Sequence, residues 1–311
     1  DIVNGLVVPY DSSRDKYFHH EIQPAYASAY LLTAILSPDY VDVTGDGITD
    51  DDLGSAIRFN YSKVSGVYKW RSPYEFAQAI YNKGLSADGK DDKGSFVYGE
   101  KELWYLQSIE TKTKIIYFIT KDRDDALGVT GVNGGRFIGT RQKYLKEVRL
   151  YSKSDLQQPI KTAYFEYDYS LCPSVPNHIT VGGGKLTLKK VYFKYGSSGK
   201  GKSHPYSFTY GNNQAYAYLS ADRWGAYKPK YNNTVPALRN DEFPYSLQDK
   251  SLMDNSAGKW HLTKIELPTG GAINVDYESG DYAYVQDKKA MEMVKVEALI
   301  KADGVVTTNL N

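Results

Sequence analysis

The sequence predicts a mainly β protein, built from consecutive antiparallel β-hairpins stacked side by side as a sheet, with one short helix and long loops. Three observations predict it. Tyrosine accounts for 29 of the 311 residues, and its broad ring suits a pleated, half-buried surface. Runs that alternate apolar and polar residues recur along the chain, the period of a half-buried strand. Between them stand turn-forming stretches, "TKT", "SKSDLQQP", "GSSGKGKSHP" and "PTGG", while Gly and Pro are spread without forming a single linker.

The alternating runs pair into a loose internal repeat. One half reads Leu-x-x-[Ile/Val], and the other ends in apolar-x-Tyr or something close. "LTAIL" (32–36) precedes "IRFNY" (57–61), and "LQSIE" (106–110) precedes "KIIYF" (114–118). "LKEVRLY" (145–151) precedes "AYFEY" (163–167), "LKKVYFKY" (188–195) precedes "YSFTY" (206–210), and "LTKIEL" (262–267) precedes "INVDY" (273–277). A lone hairpin cannot bury its apolar face, whereas hairpins stacked in order can, so five ordered copies predict a repeat architecture. The chain is read as one β-rich repeat segment: residues 1–100 hold the first hairpin and a helix, residues 101–311 the remaining hairpins.

The helix is expected in "SPYEFAQAIYNKGL" (72–85). Ser72 stands as N-cap, Pro73 at the first helical position, Glu75 at the third and Gly84 as terminator. Phe76, Ala79 and Ile80 fall on one helical face, which would pack on the sheet as a lid. "LSADGKDDKGS" (85–95) reads as a polar loop.

The first hairpin carries the most distinctive stretch, "YVDVTGDGITDDDLG" (40–54). Counting Asp42 as position one places Asp42, Thr44, Asp46, Gly47, Ile48 and Asp50 at positions 1, 3, 5, 6, 7 and 9 of an EF-hand-like calcium loop. Alternate residues would present hard oxygens to one centre, Gly47 would permit the sharp turn, and Ile48 would offer its carbonyl. The expected Ca2+ ligands are therefore Asp42, Thr44, Asp46, Ile48 and Asp50, with Asp51 or Asp52 open as a further donor. Two departures stand out. Position three is the neutral Thr44, and position twelve is Leu53 where an EF-hand has a bidentate Glu. Flanking strands fit the calcium loops of β-propeller and integrin-type repeats better than those of EF-hands. The alternative is a solvated acidic turn, in which crowded carboxylates repel. A catalytic reading lacks any nearby nucleophile or base.

Other motifs carry less. "GSSGKGKS" (196–203) matches the phosphate-loop spelling, but Pro205 and alternating aromatics follow where a helix is required, so a hairpin turn is expected. His19, His20, His178, His204 and His261 are scattered without zinc spacing. Cys172 is the single cysteine, expected as a packed thiol and incapable of an intrachain disulfide. "DRWGAYKPKYNN" (222–233) offers Trp224, Tyr227 and Tyr231 either as a sugar-stacking platform or as aromatics packed on the sheet.

Charge narrows the function classes. With 38 basic against 37 acidic residues, net +1, no field favours nucleic acid or an anionic membrane. No run approaches the ~18 apolar residues of a membrane helix. The start at Asp1 and the ending "VVTTNLN" suggest a piece of a longer polypeptide.

Several stretches resemble large secreted proteins of the Bacteroidota related to the Rhs/YD-repeat family: "LTKIELPTGGAINVDYESGDYAYVQDKKAM" (262–291), "GTRQKYLKEVRLYSKSDLQQPIKTAYFEYDYSLCP" (139–173), "DRWGAYKP" (222–229) and "SPDYVDVTGDGITDDDLGSAIRFNY" (37–61). The resemblance implies export, often through the type IX secretion system, display at the outer-membrane surface of a Gram-negative cell, and a β-rich shell or filament. Tyr167-Asp168 is the only Tyr-Asp after a strand half, so the chain departs from the standard repeat.

These readings combine into an expectation of a non-enzymatic structural and interaction segment, stiffened by Ca2+ and serving display, adhesion or assembly. Its partners would be other segments of the same polypeptide and outer-membrane secretion or surface proteins, with glycans as a further class and no nucleic acid. The alternatives are a carbohydrate-binding module and a shell segment of an Rhs-type toxin.

Overall fold

The computed structural model describes residues 7–9, 20–64, 66–75, 78–81, 94–217, 220, 227, 250–280, 284–285, 288–289, 299–300 and 306–307. In chain order its strands are β1 (Val7–Pro9), β2 (Ala34–Leu36), β3 (Ala56–Lys63), β4 (Tyr68–Ser72), β5 (Gln78–Tyr81), β6 (Gly94–Ser95), β7 (Val97–Lys101), β8 (Trp104–Glu110), β9 (Lys114–Gly131), β10 (Gly134–Ser152), β11 (Lys161–Leu171), β12 (Lys185–Tyr195) and β13 (Tyr206–Tyr210). Helix α1 (Lys250–Ala257) follows, then β14 (Leu262–Glu266), β15 (Ala272–Asn274), β16 (Tyr284–Val285), β17 (Lys288–Lys289), β18 (Leu299–Ile300) and β19 (Val306–Thr307).

Ten strands form one antiparallel sheet in the order β15-β14-β13-β12-β11-β10-β9-β8-β3-β2. Each expected hairpin is an adjacent pair within it: β2–β3, β8–β9, β10–β11, β12–β13 and β14–β15. Their registers coincide when counted from the opening Leu. The residue two after Leu32, Leu106, Leu145, Leu188 or Leu262 faces, respectively, Arg58, Tyr117, Tyr164, Ser207 or Asn274. Connections of very different length thus close onto the same pairing.

The seams between hairpins repeat too. Leu106 faces Tyr61, Leu145 faces Thr120, Leu188 faces Tyr167, and Leu262 faces Tyr210. Every seam shifts register at the next residue, so Gln107, Lys146, Lys189 and Thr263 are each an extra residue in a β-bulge. This bulge explains the Leu-x-x-Ile spacing. In a regular strand residues three apart point to opposite faces; one extra residue returns Leu and Ile to the same face. Leu, Ile/Val and the closing apolar-x-Tyr positions therefore line a single apolar face.

Tyrosine hydroxyls tie the hairpins. Tyr61 Oη donates to the Leu32 carbonyl (3.0 Å), Tyr210 Oη to that of Leu188 (2.7 Å) and Tyr277 Oη to that of Leu262 (2.9 Å). In these three hairpins the closing Tyr thus reaches the opening Leu of its own hairpin, at equivalent positions. In the β11–β12 seam, Tyr164 stacks on the opposed Tyr192 at 5.0 Å.

β9 and β10 are 18 and 19 residues long and run past the ladder of hairpins. Their extensions carry the best-buried residues, Asp125, Leu127 and Val129, together with Tyr68 of the β4–β7 ribbon. The segment 172–184 folds over them: the Leu127 N–H bonds the Asn177 carbonyl (3.1 Å) and the Ile179 N–H that of Asp124 (2.6 Å).

The helix expected at 72–85 is corrected. Ser72 ends β4 opposite Val97, and Gln78–Tyr81 is strand β5, paired with β1 and β6. Residues 76–77 and 82–93, with most of the 85–95 loop, lie outside the described residues. The Arg71 guanidinium takes the Pro73 carbonyl (2.6 Å) and the Glu75 carbonyl (3.3 Å), acceptors that a first helical turn would have used internally. A helix this short gains little alone, and pairing with two strands outweighs it. The observed helix is α1, where Met253 and Ser256 are buried and Lys250 pairs with Asp254 at 3.2 Å.

Candidate functional site: the acidic loop at the hairpin tips

The loop 40–54 connects β2 to β3, and a bridge between Val41 and Leu53 closes its base with two 3.1 Å hydrogen bonds. Leu53, at position twelve, thus closes the base of the loop through its backbone while its side chain stays exposed. Asp52 is the anchor. Its carboxylate accepts from the Thr49 N–H (2.8 Å), the Tyr40 hydroxyl (2.7 Å) and the Val43 N–H (3.2 Å). The Thr49 N–H, foremost, and the Tyr40 hydroxyl hold the Asp52 carboxyl below its ordinary value. The same contact with Asp52, followed by burial, pushes Tyr40 up to about 12.

Asp42 organises the turn itself. Its Oδ1 accepts from the Gly45 N–H (2.7 Å) and its Oδ2 from the Gly47 N–H (3.0 Å). Gly45 and Gly47 take φ of 72° and 93°, conformations that a side chain disfavours. Thr44 Oγ1 donates to Asp46 (2.6 Å), and Thr49 Oγ1 to Asp51 (2.5 Å). The remaining expected donors face cationic side chains: Asp50 pairs with Lys153 (2.9 Å), and the Ile48 carbonyl accepts from Arg58 (3.2 Å).

The loop thereby spans three hairpins. Lys112, in the turn of the second, donates to the Asp52 carbonyl (2.8 Å); Lys153, in the connection of the third, pairs with Asp50 and with Glu110 (3.6 Å). Glu110 also accepts from Arg58 (3.1 Å) and Asn60 (2.6 Å). A cleft of about 330 Å³ lies among Asp50, Asp52, Arg58, Glu110, Lys112 and Lys153. Its three cations balance its three carboxylates. Among the described residues no three His, Cys, Asp or Glu side chains converge as metal ligands; the Asp42 and Asp52 oxygens are directed at backbone N–H groups instead. For an ion to sit on the expected set, Lys153 must yield Asp50, and Arg58 must yield the Ile48 carbonyl.

A second polar cluster lies on the β9–β10 extension. Arg123 grips Asp125 through two bonds (2.9 and 2.7 Å), and the Leu186 N–H adds a third (2.9 Å). Burial acts to raise Asp125, but Arg123 and Leu186 outweigh it and hold the carboxyl below its ordinary value. His178, also buried, accepts the Thr180 N–H at Nδ1 (2.9 Å) and sits edge-on to Tyr169 at 5.1 Å. Arg136 donates to the His178 and Ile179 carbonyls, fastening the 172–184 segment. No motif in the sequence singles this cluster out. Its available signal was Arg123-x-Asp125, two opposite charges on one strand face, leading into the apolar run "ALGV".

"GSSGKGKS" is a hairpin connection containing a 3-10 turn (Lys200–Ser203) that leads into β13, and Gly201 abuts the Phe193 backbone. Cys172 is buried, and burial raises its thiol pKa. Tyr227 packs edge-on to Trp260 at 4.9 Å, whereas Trp224 and Tyr231 lie outside the described residues. A shallow cleft of about 230 Å³ is lined by Tyr68, Trp70, Arg71, Tyr74, Lys185 and Tyr216 among others. No family model, curated protein or solved structure matches the chain.

Proposed function

We propose that the chain is a non-enzymatic structural segment of a large exported cell-surface protein of the Rhs/YD-repeat type, serving display, adhesion or assembly outside a Gram-negative cell. The observation that carries this reading is the ladder itself: five hairpins in one register, joined by four equivalent seams. Such an architecture extends by addition and offers long surfaces and edges. The test is protease shaving of intact cells that produce the parent protein with an epitope in this segment. The reading expects the epitope to be lost while the cells remain sealed; an epitope protected until lysis overturns it.

Calcium is part of this proposal. The Asp42, Thr44, Asp46, Ile48 and Asp50 spacing and the left-handed Gly45 and Gly47 support it, and Ca2+ would take over the place of the Lys153 ammonium beside Asp50. Thermal melting with Ca2+ and then with EGTA decides it. The wild-type midpoint is expected to fall in EGTA, with no such response in Asp46→Ala. A wild-type midpoint unmoved by EGTA removes calcium and leaves a loop rigidified by Asp42 and Asp52 alone.

A further inference from the structure

We propose that the two edges of the ladder are complementary, so that β15 of one copy adds to β2 of a second copy and the chains associate head to tail. The argument is register. In all four internal seams an apolar-x-Tyr run, or the equivalent run closing on Thr120 at one seam, pairs with a Leu-x-x-[Ile/Val] run, with the bulge one residue after the Leu. The two edges hold the unused halves of one more such seam. β2, preceded by Leu32, stands at the opening half of a hairpin; β15 stands at a closing half, with Val275, Asp276 and Tyr277 following just beyond the strand.

The internal pattern dictates the pairing between copies: Tyr277 opposite Leu32, Asp276 opposite Ala34, Val275 opposite Ile35 and Asn274 opposite Leu36, with Thr33 as the bulge residue. The backbone is oriented for it. The Thr33 carbonyl and Ser37 N–H are used by β3 and its approach, which turns those of Ala34 and Leu36 outward. The Val275 N–H bonds Thr263, which likewise turns Asn274 and Asp276 outward. Burial agrees. Leu32 is 53% exposed, Ile35 49% and Ile273 49%, while Leu106, Leu145, Leu188 and Leu262, beside a seam partner, are half-buried.

A second copy is the occupant the chain itself specifies, because it carries both halves of the seam on opposite edges. At both edges the outward N–H and C=O groups have no strand partner among the described residues, which is the template on which a further strand adds. The two edges differ, so the contact is heterologous and builds a ring or an open filament. This inference goes beyond the structural-segment reading and stands whether or not the protein is exported.

Sedimentation velocity over a concentration series tests it, using wild type, Ala34→Pro and Asn274→Pro. Each proline removes an outward N–H while sparing the hairpin's own bonds. Wild type is expected to form larger species as concentration rises, and each variant alone to stay monomeric. An equimolar mixture of the two variants is expected to stop at a heterodimer, since one intact edge of each kind remains. Ile35→Lys and Ile273→Lys repeat the experiment without backbone change, and circular dichroism confirms folding of all four. A wild type that remains monomeric throughout leaves the edges to another occupant and overturns the proposal. So does a single-edge variant that self-associates, or a mixture that stays monomeric.

Discussion

The ladder and the β9–β10 extension use the same strands to different ends. In the ladder, side chains are mostly half-buried, and order comes from repeated pairing: one register, one bulge per seam, tyrosine hydroxyls returning to the opening Leu. In the extension, the chain encloses Asp125, Leu127 and Val129 beneath the 172–184 segment and the β4–β7 ribbon. The ladder spreads its stability over many small, equivalent contacts; the extension concentrates it in a few buried groups. Damage should therefore be graded in the ladder and abrupt in the extension, unless it strikes the register that all hairpins share.

Deleting Lys189 is the largest expected effect. It removes the bulge between β11 and β12 and moves the rest of β12 to the opposite face, against apolar neighbours on both sides. The expected result is loss of a cooperative melting transition, whereas Lys189→Ala, which keeps the residue, melts close to wild type. Next comes Asp125→Ala, which leaves Arg123 and the Leu186 N–H without their acceptor; a loss of roughly 3–5 kcal/mol is expected in urea unfolding. A smaller loss in Asp125→Ala than in Tyr210→Phe would reverse the comparison.

Acid sharpens it further. The Asp125 carboxyl is depressed in the folded state, so its contribution is complete above the unfolded value of ~3.9 and disappears as pH falls through the lower folded value. Stability measured from pH 6 downward should fall more steeply below about pH 4 in wild type than in Asp125→Asn. The mildest change is Tyr210→Phe, expected to cost about 0.5–1.5 kcal/mol for one lost hydroxyl bond. Tyr277→Phe, at a more exposed position, should cost less.

What the sequence made legible follows this division. The five hairpins could be read because each is local and each repeats: Leu188 and Tyr210 announce the same geometry as Leu262 and Tyr277. The acidic loop was equally visible as a connection, since Asp42, Gly45 and Gly47 specify a turn by their own chemistry. Its anchor was less visible. Asp51 and Asp52 are indistinguishable as letters, and only the bridge between Val41 and Leu53 turns Asp52 inward to meet Tyr40. The pairing of Asp50 with Lys153 joins residues far apart in sequence, and no local pattern encodes it. The same holds for the meeting of Asp125 with Leu186 and for the cover over Leu127. The misplaced helix has the opposite cause: Ser72, Pro73 and Glu75 satisfy a local rule that pairing of Gln78–Tyr81 with β1 and β6 overrides.

The bulge after each opening Leu gives the chain a unit of change. Because every seam restores its own phase, a whole hairpin can be gained or lost and its neighbours will still meet Leu against Tyr, or against Thr120 at one position. Connections, by contrast, need only begin and end in place, and the long acidic turn and the short "PTGG" serve equally. Variation in such a protein is therefore cheap in whole hairpins and in loop length, and forbidding in single residues at the seam.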